Sequence, residues 1–112
     1  MSSDSTDTHA IDPAPAFAAL GDRTRLALIT RLSDGRARSI TSLSADVDIT
    51  RQGVTKHLRV LERAGLVRGT QVGRESRFAL CASPLAELKS YLDTVSKQWD
   101  DALSRLKSFV EE

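Results

Sequence analysis

Between Leu85 and Phe109 the chain places an apolar residue at 85, 88, 92, 95, 99, 102, 106 and 109, steps of three and four that alternate without a slip. A strand repeats every second residue; only a helix brings these positions onto one side. The seam reads Leu85, Leu88, Leu92, Val95, Trp99, Ala102, Leu106 and Phe109, widened by Leu103 and Val110. Ser83-Pro84 offers its start, a capping hydroxyl followed by proline at the first helical position. From Leu85 to Phe109 such a helix runs about 37 Å, longer than a compact domain of this size needs for itself. Part of the seam is therefore expected to pack on a second copy. Leu88, Leu92, Val95, Trp99, Leu103 and Leu106 are its candidate contacts.

At 112 residues the chain has room for one domain with a real core and not for two. Residues 1–12 read as a disordered tail, polar and followed by Pro13 and Pro15, with the domain occupying 13–112. No internal repeat is visible. "PAFAAL" makes a short helix stopped at Gly21. Asp22 caps the next helix, "RTRLALITRLSDG", with Leu26, Ile29 and Leu32 inward and Gly35 as its left-handed terminator.

Ser39 or Thr41 can cap a third helix in which Ile40, Leu43 and Val47 fall on one side. About three residues later Thr50 caps a fourth, whose stripe is Val54, Leu58 and Leu61. It stops at "AGL", glycine followed by an apolar residue, as a Schellman ending prefers. Two short amphipathic helices joined by a tight turn form a helix-turn-helix. "LVRGTQVGRESRFAL" then changes period, and Gly73-Arg74 suits a two-residue hairpin turn with glycine first. The fold class is mainly α with a small β-hairpin: a winged helix-turn-helix of about five helices plus a two-stranded wing.

The net charge of +1 conceals its distribution. From Met1 to Leu20 there are three acids and no Lys or Arg, whereas Arg51 to Arg77 holds seven Lys and Arg against Glu62 and Glu75. Solvated helix faces usually mix signs, yet no acid stands between Arg51 and Leu61. A polyanion is the simplest partner for such a face. Arg51, Gln52, Thr55, Lys56 and Arg59 suit the major groove, where Arg and Lys read guanine, Gln reads adenine, and Thr meets a base or the thymine methyl. Arg68, Arg74 and Arg77 surround the hairpin, with Gly73 and Arg74 at its tip, in reach of phosphate or the minor groove. The hydroxyls of Ser39, Thr41 and Thr50 at the helix starts complete the expected DNA-facing set. Gly53 weakens its helix by about 1 kcal/mol relative to Ala. Close approach to another backbone and close approach to DNA are both open as its reason.

"FAALGDRTRLALITRLSDG", "DITRQGVTKHLRVLERAGLV", "GRESRFAL" and the long last helix together resemble the ArsR/SmtB family of bacterial winged-helix repressors, over roughly residues 14 to 110. The resemblance implies a homodimer formed by the first and last helices, which adds Phe17 to the interface, and an imperfect palindrome as operator. By position it also implies DNA contact at Gln52, Thr55, Lys56 and His57 and at the Gly73-Arg74 tip. His57 has two readings, a packed structural residue or a phosphate contact. The turn of the motif lacks the usual glycine; Asp48 stands near that place, and Asp tolerates the left-handed region better than most residues.

Metal-sensing members of that family use paired cysteines on the first helix of the motif, or Asp, His and Glu on the last. Here "TSLSADVDI" has neither Cys nor His, and nothing from Pro84 onward does either. No metal and no cofactor are expected. Cys81 is the single cysteine, read as a small packing residue, and it cannot form an intrachain disulfide. No run of about 18 apolar residues and no signal-peptide pattern occur, so a cytoplasmic protein with no membrane partner is expected. No nucleophile motif or phosphate loop suggests catalysis, and no catalytic residue is assigned. The expected partners are double-stranded DNA and a second copy. A small-molecule effector between the dimerisation helices stays open. The competing reading is a protein–protein module that turns the same basic face to an acidic partner.

Overall fold

The computed structural model describes residues 11–111. The proposed tail lies outside these residues apart from Ile11 and Asp12. Helix α1 spans Pro13–Leu20 and α2 Arg23–Leu32; a short strand β1, Arg38–Ser39, precedes α3, Ile40–Val47, and α4, Arg51–Arg63. Strands β2, Val67–Val72, and β3, Glu75–Leu80, lead into α5, Ala82–Glu111.

The helix ends follow from local chemistry. Asp12 accepts from the Ala14 N–H and Pro13 takes the first position, so α1 begins two residues earlier than "PAFAAL". Asp22 accepts from Arg25 N–H at 2.9 Å, Ser39 from Ser42 N–H at 3.1 Å, and Thr50 from Gly53 N–H at 3.0 Å. Ser39 rather than Thr41 is thus the cap of α3. Asp48 takes φ 56° and ψ 50°, the left-handed conformation that glycine supplies in other such turns. At the end of α4, Leu66 N–H reaches the Leu61 carbonyl and Gly65 N–H the Glu62 carbonyl, with Gly65 at φ 83°. That is the Schellman pair of bonds.

The core joins Leu28 and Leu32 of α2, Leu43 of α3, and Val54, Leu58 and Leu61 of α4. Phe78 and Leu66 close it from the hairpin side. The inward face of α2 differs from expectation: Leu26 is 51% exposed while Leu28 is fully buried. Residues 26 to 29 are all apolar, so two stripes share the register, and packing against α3 and α4 selects the Leu28–Leu32 pair one turn apart.

Gly53 owes its place to its own chain. A Cβ there would lie 2.8 Å from Ile49 Cγ2 and 3.2 Å from Thr50 Oγ1. The residues that end the turn fold back over the first turn of α4, and a side chain at 53 fits only if Ile49 gives way.

β2 and β3 pair from Val67↔Leu80 to Val72↔Glu75, leaving the two-residue turn Gly73-Arg74 with Gly73 at φ 62°. β1 adds to the outer edge of β3 through Arg38↔Phe78 and Ser39↔Arg77, giving the order β1-β3-β2. This third strand was not expected. It matters because it binds the wing to the residue that caps α3.

α5 starts at Ala82, one residue before Ser83, with Leu85 N–H closing on the Cys81 carbonyl. Pro84 falls within the first turn, where an N–H has no intrahelical partner to lose. Leu85 and Leu88 pack into the core, and beyond them α5 leaves the body. The molecule is 64 Å in its longest dimension, and its radius of gyration of 17.9 Å exceeds the roughly 13 Å of a compact chain near this length.

Candidate nucleic-acid interface

Burying Val54, Leu58 and Leu61 turns the opposite side of α4 outward. Gln52, Lys56, Arg59 and Arg63 lie exposed along it, at spacings of four, three and four. Arg63 was not among the expected contacts, although its place in this stripe is readable from the spacing. Around the N-terminal turn, Thr50, Arg51, Gln52, Thr55 and Lys56 line an open groove of about 860 Å³ together with Ile40. Thr55 is half-buried and its hydroxyl donates to the Arg51 carbonyl at 2.7 Å, so it offers its methyl more freely than its oxygen.

A smaller hollow of about 100 Å³ continues that groove toward the wing. It shares Ile40 and Arg51 with the first and adds Ser39, Thr41, Arg74, Glu75 and Ser76. The start of α3, the start of α4 and the wing tip thus form one surface. Arg51, Lys56 and Arg74 carry no ion pair among the described residues. The carboxylate that does approach, Glu75, is held by Arg77 at 2.9 Å.

Several expected contacts are engaged elsewhere. Arg77 is committed to Glu75. Arg59 pairs with Glu62 at 2.8 Å and lies over the Phe78 ring, 5.7 Å from its centroid. Glu62 also accepts from the Gly69 N–H of β2, and these two bonds hold its carboxyl below the usual glutamate range, Arg59 contributing more. Arg68 lines a different hollow, with Gly65, Thr70, Cys81 and Pro84 at the base of the hairpin.

His57 faces the body of the protein. Its Nδ1 stands 3.2 Å from Arg25 Nη1 and 3.7 Å from Asp22 Oδ2. That position suits the packed structural reading of this histidine, whose Nδ1 side is engaged within the fold. Arg25 was missed by sequence reasoning, and it carries no local signal, being 32 positions away. The Asp22 carboxyl is lowered chiefly by the Arg25 backbone N–H it accepts, with the neighbouring Arg25 charge adding to this.

The candidate dimer face divides in two. Leu92, Trp99, Leu103 and Leu106 are exposed, Trp99 by 65%, and Val95 is half-buried. Leu88, at 3%, is spent on the chain's own core and backs the seam from within. Phe17 of α1 is half-buried against Tyr91 of α5, ring centroids 5.9 Å apart, and so fastens the first helix to the last. An apolar strip of this length in water marks a contact surface.

Among the described residues no group of three or more His, Cys, Asp and Glu is placed to hold a metal ion. Cys81 is a half-buried free thiol. No helix among them is long and apolar enough to cross a membrane.

Comparison with known proteins bears on this geometry. A family model described as a helix-turn-helix domain matches residues 20–70. The HTH-type transcriptional regulator Rv2034 of Mycobacterium tuberculosis is 32% identical over 99 residues, covering 88% of this chain and 89% of that one. An ArsR-like transcriptional regulator from Rhodococcus sp. RHA1 superposes with a TM-score of 0.68 at 33% identity, over 94% of this chain and 95% of that one. The homodimeric winged helix-turn-helix DNA-binding domain Mb0332 of Mycobacterium bovis shares the fold with a TM-score of 0.62 at 20% identity, over 76% of this chain and 78% of that one.

Proposed function

The chain belongs to the ArsR-like family of helix-turn-helix transcriptional regulators, and on that premise we propose that it is a homodimeric repressor of a twofold-symmetric operator, working without a metal. One observation carries the reading: the groove at the start of α4 is lined by no acid and continues toward the wing tip past Glu75, which Arg77 holds, with Arg51, Lys56 and Arg74 in no ion pair among the described residues. Gln52 and Thr55 read bases, Arg51 reads a base or the backbone, and Lys56 and Arg74 hold phosphates. Ser39 and Thr41 lie where the backbone passes between α3 and the wing.

Two copies joined along Leu92, Val95, Trp99, Leu103 and Leu106 present two α4 helices to one duplex. Successive major grooves on one side of DNA lie about 34 Å apart, so the half-sites are one helical turn apart and related by a dyad. The homodimeric state of the Mycobacterium bovis domain supports this arrangement. Repression then follows from occlusion of the promoter. Metal independence is supported by the residues: α3 and α5 contain neither Cys nor His. The likeness to transcriptional regulators supports a cytoplasmic protein, and the reading leaves room for a small-molecule effector between the dimerisation helices.

The test is binding to duplexes at graded salt. Specific recognition loses affinity steeply with salt and still prefers one sequence by roughly a thousandfold or more. A basic face serving an acidic protein binds all duplexes alike.

A further inference from the structure

Arg25 joins three parts of the fold. Its Nε donates to the Ala19 carbonyl near the end of α1. Its backbone N–H donates to the cap Asp22 at 2.9 Å, and its Nη1 meets His57 Nδ1 of α4 at 3.2 Å. A guanidinium has donors only, so a hydrogen bond to Nδ1 requires the lone pair on that nitrogen. The imidazole proton then sits on Nε2. Protonating Nδ1 removes the acceptor and sets two positive charges face to face. The carboxylate facing the ring is Asp22, 3.7 Å away and already occupied as the cap of α2. Among the described residues, Arg25 and Asp22 are the charged groups that meet the ring from the elements packed against α4.

We propose that Arg25 is a positioning residue for DNA recognition: it seats α4 on α1 and α2 through the neutral, Nε2-protonated form of His57, and acid releases that seat. The inference rests on the DNA-binding reading above. Its importance comes from the dimer. α1 is fastened to α5 by Phe17 and Tyr91, so the bond from Arg25 fixes α4 relative to the helices that carry the seam. Two recognition helices must hold a separation near 34 Å to enter successive grooves, and loosening each seat degrades that match without removing any DNA contact.

Two measurements test this. Nitrogen-15 NMR of the histidine rings, in a His9→Asn background that leaves one histidine, reads the tautomer directly. The expected result is the Nε2–H form near neutrality, passing to a mixture in Arg25→Ala. The Nδ1–H form in the parent protein overturns the proposal. Affinity for the selected operator, measured at about pH 8 and about pH 5.5, spans the window in which histidines change charge. It should fall roughly tenfold on acidification.

His57→Gln offers an oxygen to Arg25 and has no proton to gain, so its affinity should be the same at both pH values. Arg25→Ala should bind more weakly at the higher pH and respond little to acid, and Arg25→Lys should recover part of the loss. Should Arg25→Ala fail to fold by circular dichroism, His57→Gln alone decides. A parent protein that binds its operator with a pH profile matching His57→Gln overturns the inference and leaves the DNA-binding reading intact. A parent protein with no sequence preference at either pH sinks both.

Discussion

The Gly69 backbone N–H of β2 donates to the Glu62 carboxylate of α4 at 3.2 Å, so the recognition helix and the wing move as one piece. Arg59 completes the latch from one turn earlier. Gly69 can be nothing larger, because a Cβ there would meet Phe78 Cε2 at 2.8 Å.

That latch titrates. Glu62 has a folded pKa below its ordinary value, so its contribution to stability is fully present above the ordinary glutamate range, near 4.3. It is lost as pH falls from there through the lower folded value. Denaturant unfolding from about pH 6 to pH 3 should show the parent protein losing stability faster than Glu62→Gln, which has no charge to lose. Parallel curves for the two would remove Glu62 from the latch.

Gly53→Ala sets two effects against each other. Helix propensity favours Ala by about 1 kcal/mol, while overpacking against Ile49 costs about 1–3 kcal/mol. The variant should be destabilised by about 1 kcal/mol in urea, and the same exchange in an Ile49→Ala background should be neutral or stabilising. Equal effects in both backgrounds would mean that Ile49 is not the obstacle.

Base readers and phosphate holders respond differently. Lys56→Ala and Arg74→Ala should each weaken binding to every sequence and flatten the salt dependence by about one counterion. Gln52→Ala should relax preference at one position of each half-site, by about 1–3 kcal/mol. Competition binding against single-base operator variants reads this, and an unaltered preference would take Gln52 off the list of readers. Arg68→Ala and Arg77→Ala should change affinity little, since one faces the hairpin base and the other is held by Glu75.

A charge in the seam should separate the copies. Leu92→Glu or Trp99→Glu leaves the monomer core untouched, as both side chains are exposed, and should sediment as a monomer with unchanged helicity. Operator affinity should fall with it, because one recognition helix loses the help of its twin. A dimer of unchanged mass would dismiss this face as the interface.

The features legible in the sequence are those whose causes lie close together in the chain. The left-handed Asp48, the Schellman ending at Gly65 and the Gly73-Arg74 turn each depend on fewer than about six neighbouring residues. The long seam of α5 was legible because its period repeats. What escaped depends on the third dimension. Leu26 and Leu28 are equally apolar, and only the packing of α2 on its neighbours chooses between them. β1 has two residues, too few to show a period. Arg68 looked like the free arginines around it until the fold turned it to the base of the hairpin, whereas the acids that hold Arg59 and Arg77 stand only three and two positions away and were readable in the sequence. The bond between Arg25 and His57 joins residues 32 positions apart, and neither announces the other.

The most direct test is recovery of genomic fragments by the purified protein at physiological ionic strength, followed by sequencing. The expected result is one enriched motif made of two half-sites related by a dyad, with centres about 10 base pairs apart. Fragments enriched without any shared motif, or a motif with a single half-site, would contradict a dimer that reads DNA with both copies of α4.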